Sequence, residues 1–320
     1  AVQFALLAAA LAVGAVAGSS WILALVTGLV GVGSAVGAQL SSVAGRFAER
    51  GRQATVLGMV TAGISAGVLA GRIVGGWLTD SLGWRAMLLV FAAACAVSAV
   101  AARRVLPAAE GPAGRGYLAT LRGIPGLFAR FPVLRVAAGR GALWFFAFCA
   151  VWAGLAVALS QPPFSYSPAQ IGLFALAGLL GVVATRIAGT WTDRVGARRV
   201  ILAGLALALA AVVVLGVGLS NAMLTLVCLG LFDAGLFAAQ VGNQSTVLAV
   251  DPAAPARFNS AYMVVYFIGG SAGTGFGAVA VGWFGWSGLA AVGAGAIAVA
   301  MALTWWIGRP EGIAATGRSR

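Results

Sequence analysis

The sequence predicts an all-α membrane protein, and three observations carry that prediction. First, 61% of its 320 residues are hydrophobic and only 8% are charged, whereas a soluble domain carries about 25% charged residues. Mean hydropathy is +1.01. Second, the runs Phe4 to Val16, Ile22 to Gln39, Ile201 to Leu219 and Leu289 to Trp306 contain no ionised residue. Runs near 20 residues match a hydrocarbon core about 30 Å thick. Third, these runs are apolar on every side. Barrel strands would read as about ten residues of alternating polarity, and lipid leaves only helices or closed barrels as spanning structures.

Taken in chain order, the runs predict ten helices, at about 2–17, 21–45, 53–79, 85–105, 136–160, 169–191, 198–219, 221–249, 256–282 and 286–308. Gly18-Ser19-Ser20, Pro162-Pro163, Ser167-Pro168, Ser220-Asn221 and Asp251-Pro252 punctuate them as turns. The long connection from Arg104 to Leu134 holds four Pro and no helix-length apolar run, and reads as an inter-domain linker. The predicted organisation is therefore a four-helix bundle over 1–105, a cytoplasmic linker over 106–133, a six-helix bundle over 134–308 and a cytoplasmic tail over 309–320.

All 20 basic residues are Arg, and they give a net charge of +13. They fall between the apolar runs rather than on one soluble face, which excludes a nucleic-acid module. Threading the helices places 17 of them on one side, Arg140 included, and only Arg85 on the other, with Arg72 and Arg186 inside helices. Excess Arg marks the cytoplasmic side, so both chain ends and the linker are expected there. Arg-rich, Lys-free composition is that of a GC-rich bacterial genome, which points to a bacterial inner membrane. The chain has no His, which removes the usual general base and zinc ligand. Cys95, Cys149 and Cys228 sit in separate apolar runs without metal-ligand spacing. No cofactor, no metal and no enzymatic activity are expected, and a monomer is expected.

A repeat appears at an offset of 202 residues: Gly67, Gly71, Gly75, Gly83 and Trp84 fall on Gly269, Gly273, Gly277, Gly285 and Trp286. Parallel repeats about an axis along the membrane normal are a transporter signature. The first four helices then align with the last four, leaving the fifth and sixth without counterparts. Two pseudo-symmetric halves follow, with ten transmembrane helices present of an expected twelve and two more expected before Ala1. The glycines recur every four positions on one helix face and let backbones approach closely; static packing and a moving seam both fit.

Gly189-Thr190-Trp191-Thr192-Asp193-Arg194-Val195-Gly196-Ala197-Arg198-Arg199 resembles the G-x-x-x-D-R-x-G-x-R-R loop of the major facilitator superfamily. Gly67 to Gly76 resembles the fifth-helix motif of that family's antiporter branch, with Arg72 where the family has Pro. The resemblance covers the whole chain. It implies an N-terminally truncated transporter of the drug or sugar efflux, proton-antiporter-like branch, whose two bundles rock about a central site. The loop (Gly189, Asp193, Arg194, Gly196, Arg198, Arg199) reads as a cytoplasmic gate, Asp193 pairing with Arg194 or Arg198; a plain positive-inside loop is the alternative.

Several polar residues inside the apolar runs are candidate site residues. Asp233 lies deep in a span, where a carboxylate costs about 2.5–3.5 kcal/mol on insertion scales, so it is a candidate to carry a coupling proton or to make an interhelical hydrogen bond. Gln240, Asn243 and Gln244 extend a polar stripe from it. Arg72 shares a face with Ser65 and Thr61; it could bind an anionic group, pair with Asp233, or extend toward the outer interface. Arg186, nearer the cytoplasmic end, is expected to snorkel. Asn259, Tyr262 and Tyr266 recur at i, i+3 and i+7 and could line a cavity. Trp144, Phe148 and Trp152 form a similar stripe, expected to face lipid or pack. The expected function is secondary transport, specifically proton-coupled efflux of small organic molecules; a facilitator or importer of the same fold, a membrane sensor and a membrane enzyme are the alternatives.

Overall fold

The computed structural model describes residues 1–33, 53–105, 117–251 and 254–307, and among these every regular element is helical. In chain order they are α1 (Val2–Val16), α2 (Ser20–Gly33), α3 (Gln53–Leu82), α4 (Trp84–Val105), α5 (Tyr117–Arg130) and α6 (Pro132–Ser160). Then come α7 (Pro168–Leu173), a 3₁₀ turn (Phe174–Ala177), α8 (Gly178–Val195), α9 (Ala197–Val217), α10 (Ala222–Leu248) and α11 (Pro255–Ile307). Each of the ten expected helices has a counterpart, and α11 supplies two because Gly285, at φ 68°, divides it into arms 255–284 and 286–307. The second helix is described only to Gly33; Arg46, Arg50, Arg52, Arg115, Arg309, Arg318 and Arg320 lie outside the described residues.

Local chemistry explains the boundaries. Pro132 at the first position of α6 loses nothing, because its missing N–H would be unpaired there in any case. Ser167 and Gln170 form a reciprocal capping box at the start of α7. The Asn221 side chain accepts from Leu224 N at 3.0 Å and opens α10. Gly83, Gly196 and Gly285 have φ of 83°, 87° and 68°, where a Cβ would be strained, and each divides two helices. Trp84 and Trp286, partners in the 202-residue repeat, both follow such a glycine. The repeat continues in the packing: a Cβ on Gly14 would lie 3.6 Å from Leu88, and one on Gly216 would lie 3.0 Å from Ala290.

The segment expected to be a linker contains one helix. Residues 117–130 form α5, with Pro125 inside it and Leu127 buried. Leu118, Leu121, Ile124 and Leu127 follow a helical period, but the run is too short and too rich in Gly and Pro to read as a membrane helix.

The chain divides into two compact units, residues 1–112 with 166–175, and residues 113–165 with 176–320. In the first unit α1 packs on α4. In the same unit α3 meets α7 where a Cβ on Gly76 would strike the Pro168 carbonyl and one on Gly172 would strike the Arg72 carbonyl. The second unit is built on small-residue contacts of the kind that hold helices together without a hydrophobic driving force. Gly269, Gly273 and Gly277 of α11 lie against the carbonyls of Ala142, Phe146 and Ala150 of α6. Gly204 of α9 and Gly235 of α10 lie against each other's carbonyls. Large apolar side chains such as Trp21, Trp77, Val217, Trp283 and Trp306 are exposed, the expected surface for a protein whose solvent is lipid. Among the described residues six helices are long and apolar enough to cross a membrane.

Candidate functional site

The polar residues of the second unit are organised by one stripe on α6. Arg140, Trp144, Phe148 and Trp152 recur every four residues and so share a helix face. That face points inward: Trp144 is 1% exposed, and Phe148 lies parallel to Phe232 at 6.4 Å and edge-on to Phe237 at 5.7 Å. Of the two expected placements, lipid-facing or packed, the stripe shows the packed one. Its apolar bodies fill the space between α6 and α10, and its two ends hold two separate polar centres.

The first centre is at Asp233, 1% exposed in the middle of α10. Trp152 donates its indole N–H to the carboxylate at 3.0 Å. A Cβ on Gly181 of α8 would lie 2.7 Å from the Phe237 ring and 3.5 Å from the Asp233 Cβ, so glycine there lets α8 pack closely on α10 beside Asp233.

The second centre lies ten residues along α10, about 15 Å away, and is built on Arg140. The sequence placed Arg140 in the basic girdle outside the apolar runs; it is only 7% exposed. The reason is that α6 begins at Pro132 rather than at 136, which carries Arg140 two turns into the bundle. Its Nε and Nη2 both donate to Asn243 Oδ1, and Nη1 donates to Thr304 Oγ1 at 3.2 Å. Asn243 Nδ2 donates to the Ala137 carbonyl at 2.9 Å and to the Tyr262 hydroxyl at 3.2 Å. The amide orientation is forced, because arginine can only donate and a carbonyl can only accept. Tyr262 donates onward to Gln240 Oε1 at 2.6 Å. Four helical segments are tied by these bonds: α6, α10 and both arms of α11. Hydrogen bonds to a charged group contribute about 1.5–3 kcal/mol each, and stranding a buried charge costs more than that. The ends of α10 and of α11 are five and three residues beyond Asn243 and Thr304, so helix dipoles offset part of the positive charge.

Around this centre, Gln244 Nε2 donates to Asn259 Oδ1 at 3.0 Å. Tyr266 stacks on Phe145 with ring centroids 4.0 Å apart, and meets Trp144 edge-on at 5.2 Å. Asn243, Tyr262 and Gln240 therefore come together directly, with Tyr266 beside them, while Asp233 stands apart. Arg72 is half-buried on α3 of the first unit; the side chains of Ser65 and Thr61 lie outside the described residues. Sequence reasoning missed Arg140 and Thr304. The legible signal for Arg140 was its place four residues before Trp144 in a helix that a proline could open at 132.

In the Arg-rich loop, Gly196 turns the chain between α8 and α9. Asp193, Arg194 and Arg199 are exposed and Gly189 is half-buried. Arg198 reaches α11 instead of Asp193: it donates to the Thr304 and Trp305 carbonyls at 3.4 and 2.9 Å and lies 5.6 Å from the Trp305 ring. Arg198 thus caps the last helix end. Arg186 is exposed. Among the described residues, no group of three His, Cys, Asp or Glu side chains is placed to hold a metal ion.

Comparison with known proteins agrees with this architecture. Residues 2–163 match the Major Facilitator Superfamily. The chain is 32% identical over 282 residues to the uncharacterized transporter YgaY of Escherichia coli O157:H7, covering 88% of this chain and 71% of that one. It is 35% identical over 244 residues to SCO4007 of Streptomyces coelicolor, named as a transporter, covering 75% and 56%. Among solved structures, the fold is similar to the nucleoside transporter NupG in its D323A mutant, with TM-score 0.74, 13% identity and coverage of 96% and 82%. It is also similar to a bacterial homologue of the human lysosomal transporter Spinster, with TM-score 0.72, 14% identity and coverage of 95% and 81%. The chain belongs to the Major Facilitator Superfamily: it is a multi-pass membrane transporter and not an enzyme.

Proposed function

We propose that the protein exports small organic molecules across a bacterial inner membrane in exchange for protons, by alternating access. The observation that carries this reading is Asp233, a carboxyl almost wholly buried in mid-helix with an indole N–H on it. A charge at that depth is expensive unless it is used. A hydrogen bond to a carboxylate is roughly twice as strong as one to a neutral acid. Deprotonated Asp233 therefore ties α10 to α6 through Trp152, and protonation loosens that tie. Such a change couples proton binding to helix movement. Gln240, Asn243, Gln244, Tyr262 and Tyr266 form the substrate side of the pathway within the second unit, and Arg72 is a candidate substrate or proton residue of the first unit taken by itself.

On this reading the protein works as a monomer with both ends of the chain in the cytoplasm. The loop of Gly189, Asp193, Arg194, Gly196, Arg198 and Arg199 sits at the cytoplasmic gate. Gate stability comes from Arg198 on the last helix end, leaving Asp193 exposed for a partner that changes during the cycle.

The test is flux in reconstituted vesicles under an imposed pH gradient, with luminal pH as the readout while a panel of organic cations, anions and neutral solutes is added. Substrate-dependent proton release is expected from the unaltered protein, and Asp233→Asn is expected to abolish it while leaving the protein folded. Flux that ignores the gradient would replace this reading with a facilitator of the same fold.

A further inference from the structure

We propose that the Arg140 centre is an anion site, and that the molecule carried by this transporter bears a carboxylate which docks there; this substrate class rests on the transport reading above. The argument is a count of donors and acceptors. Arg140 has five N–H groups. Three are used, on Asn243 and Thr304, so one N–H on each Nη makes no hydrogen bond among the described residues. Asn243 Oδ1 already accepts twice, and Thr304 Oγ1 spends its own proton on the Ala300 carbonyl. One turn along α6, on the same face, the Trp144 indole N–H is fully buried and has no acceptor among the described residues. The Tyr266 ring packs against Trp144.

Helix-end dipoles lower the cost of the Arg140 charge but accept none of these protons. No carboxylate pairs with Arg140 among the described residues. What the cluster lacks is an acceptor carrying negative charge, and a planar carboxylate fits two N–H groups on adjacent Nη atoms bidentately, with the Trp144 N–H as a third donor. The rings of Phe145, Tyr262 and Tyr266 supply an apolar wall for the body of such a molecule.

The experiment is equilibrium binding of radiolabelled benzoate to the purified full chain, with benzamide, its uncharged isostere, as competitor. Benzoate is expected to bind saturably and to be displaced by excess unlabelled benzoate but not by benzamide. Trp144→Phe keeps an aromatic side chain but removes the N–H together with the pyrrole half of the indole, and is expected to weaken binding about tenfold. Arg140→Lys keeps the charge without the fork and should weaken it further, and Arg140→Gln should abolish it. Circular dichroism melts identify any variant that fails to fold, and Trp144→Phe stands as the informative variant in that event. Equal competition by benzamide, or benzoate binding unchanged in Trp144→Phe, would overturn the site. Binding needs no flux: benzoate binding without proton-linked transport leaves the site standing and removes the transport reading, and proton-linked transport without benzoate binding does the reverse.

Discussion

The two glycine ladders have the same sequence pattern and different surroundings. In the second unit, Gly269, Gly273 and Gly277 each lie against a backbone carbonyl of α6, and a Cβ at any of them would collide with main chain. In the first unit, among the described residues, a Cβ on Gly67 or Gly71 would meet nothing within 4 Å, and one on Gly75 would meet the Phe91 ring at 3.5 Å. The close approach in that unit is displaced to the adjacent face, where Gly76 and Arg72 meet α7. A four-residue glycine period therefore specifies a face on which a helix can be seated. Whether one sits there depends on a partner that also recurs every four residues, as Ala142, Phe146 and Ala150 do.

The largest expected effect separates the ladders by stability. Gly273→Val places two γ-carbons into the Phe146 main chain, which cannot rotate away. Overpacking of this kind costs about 1–3 kcal/mol or more, and with backbone as the obstacle the upper end is expected. Gly71→Val meets no described neighbour within 4 Å at its Cβ and is expected to change stability only by the helix-propensity difference, a few tenths of a kcal/mol in favour of Val. Thermal melts of the two variants in the same detergent check this, and similar losses at both positions would erase the distinction between the ladders.

A second effect, of intermediate size, tests what the units share. Gly83 and Gly285 have φ of 83° and 68° and both precede a Trp. Alanine in the left-handed region costs about 1–2 kcal/mol. Gly83→Ala and Gly285→Ala should therefore lower stability by similar amounts, although the ladders beside them respond differently. Unequal losses would show that the repeat extends to sequence but not to turn geometry.

Much of the fold was legible because lipid reduces the choices. Once the solvent is hydrocarbon, ionised residues and Gly or Pro clusters mark helix ends, and φ-positive glycines follow from the turn they must make. The short α5 was not legible, since Leu118, Leu121, Ile124 and Leu127 give an amphipathic period without the length that marks a span. The site was legible in part. Asp233, Asn243 and Tyr262 stand out as polar residues in apolar runs, so composition alone finds them. Arg140 does not, because an arginine near a helix end is ordinarily drawn to the interface, and only the position of Pro132 shows that this one is too deep. The α6 stripe was legible as a period but not as a direction: burial of Trp144 depends on Tyr266 and Phe145, two residues whose contact no periodicity announces.

The smallest effect is the most discriminating for the open ladder. Gly71→Ala removes conformational freedom from the unfolded chain at a helical position with room for the new methyl, which stabilises by about 0.4–1 kcal/mol. The same change at Gly273 pushes a methyl into the Phe146 backbone and should destabilise. The two substitutions are chemically identical and have the same intrinsic propensity term, so their difference isolates the neighbour. A shift of opposite sign in the two melts would assign the glycine requirement at 273 to the α6 contact itself. If Gly71→Ala destabilises as well, some other segment occupies that face in the folded protein, and the open ladder is closed by contacts that lie beyond the described residues.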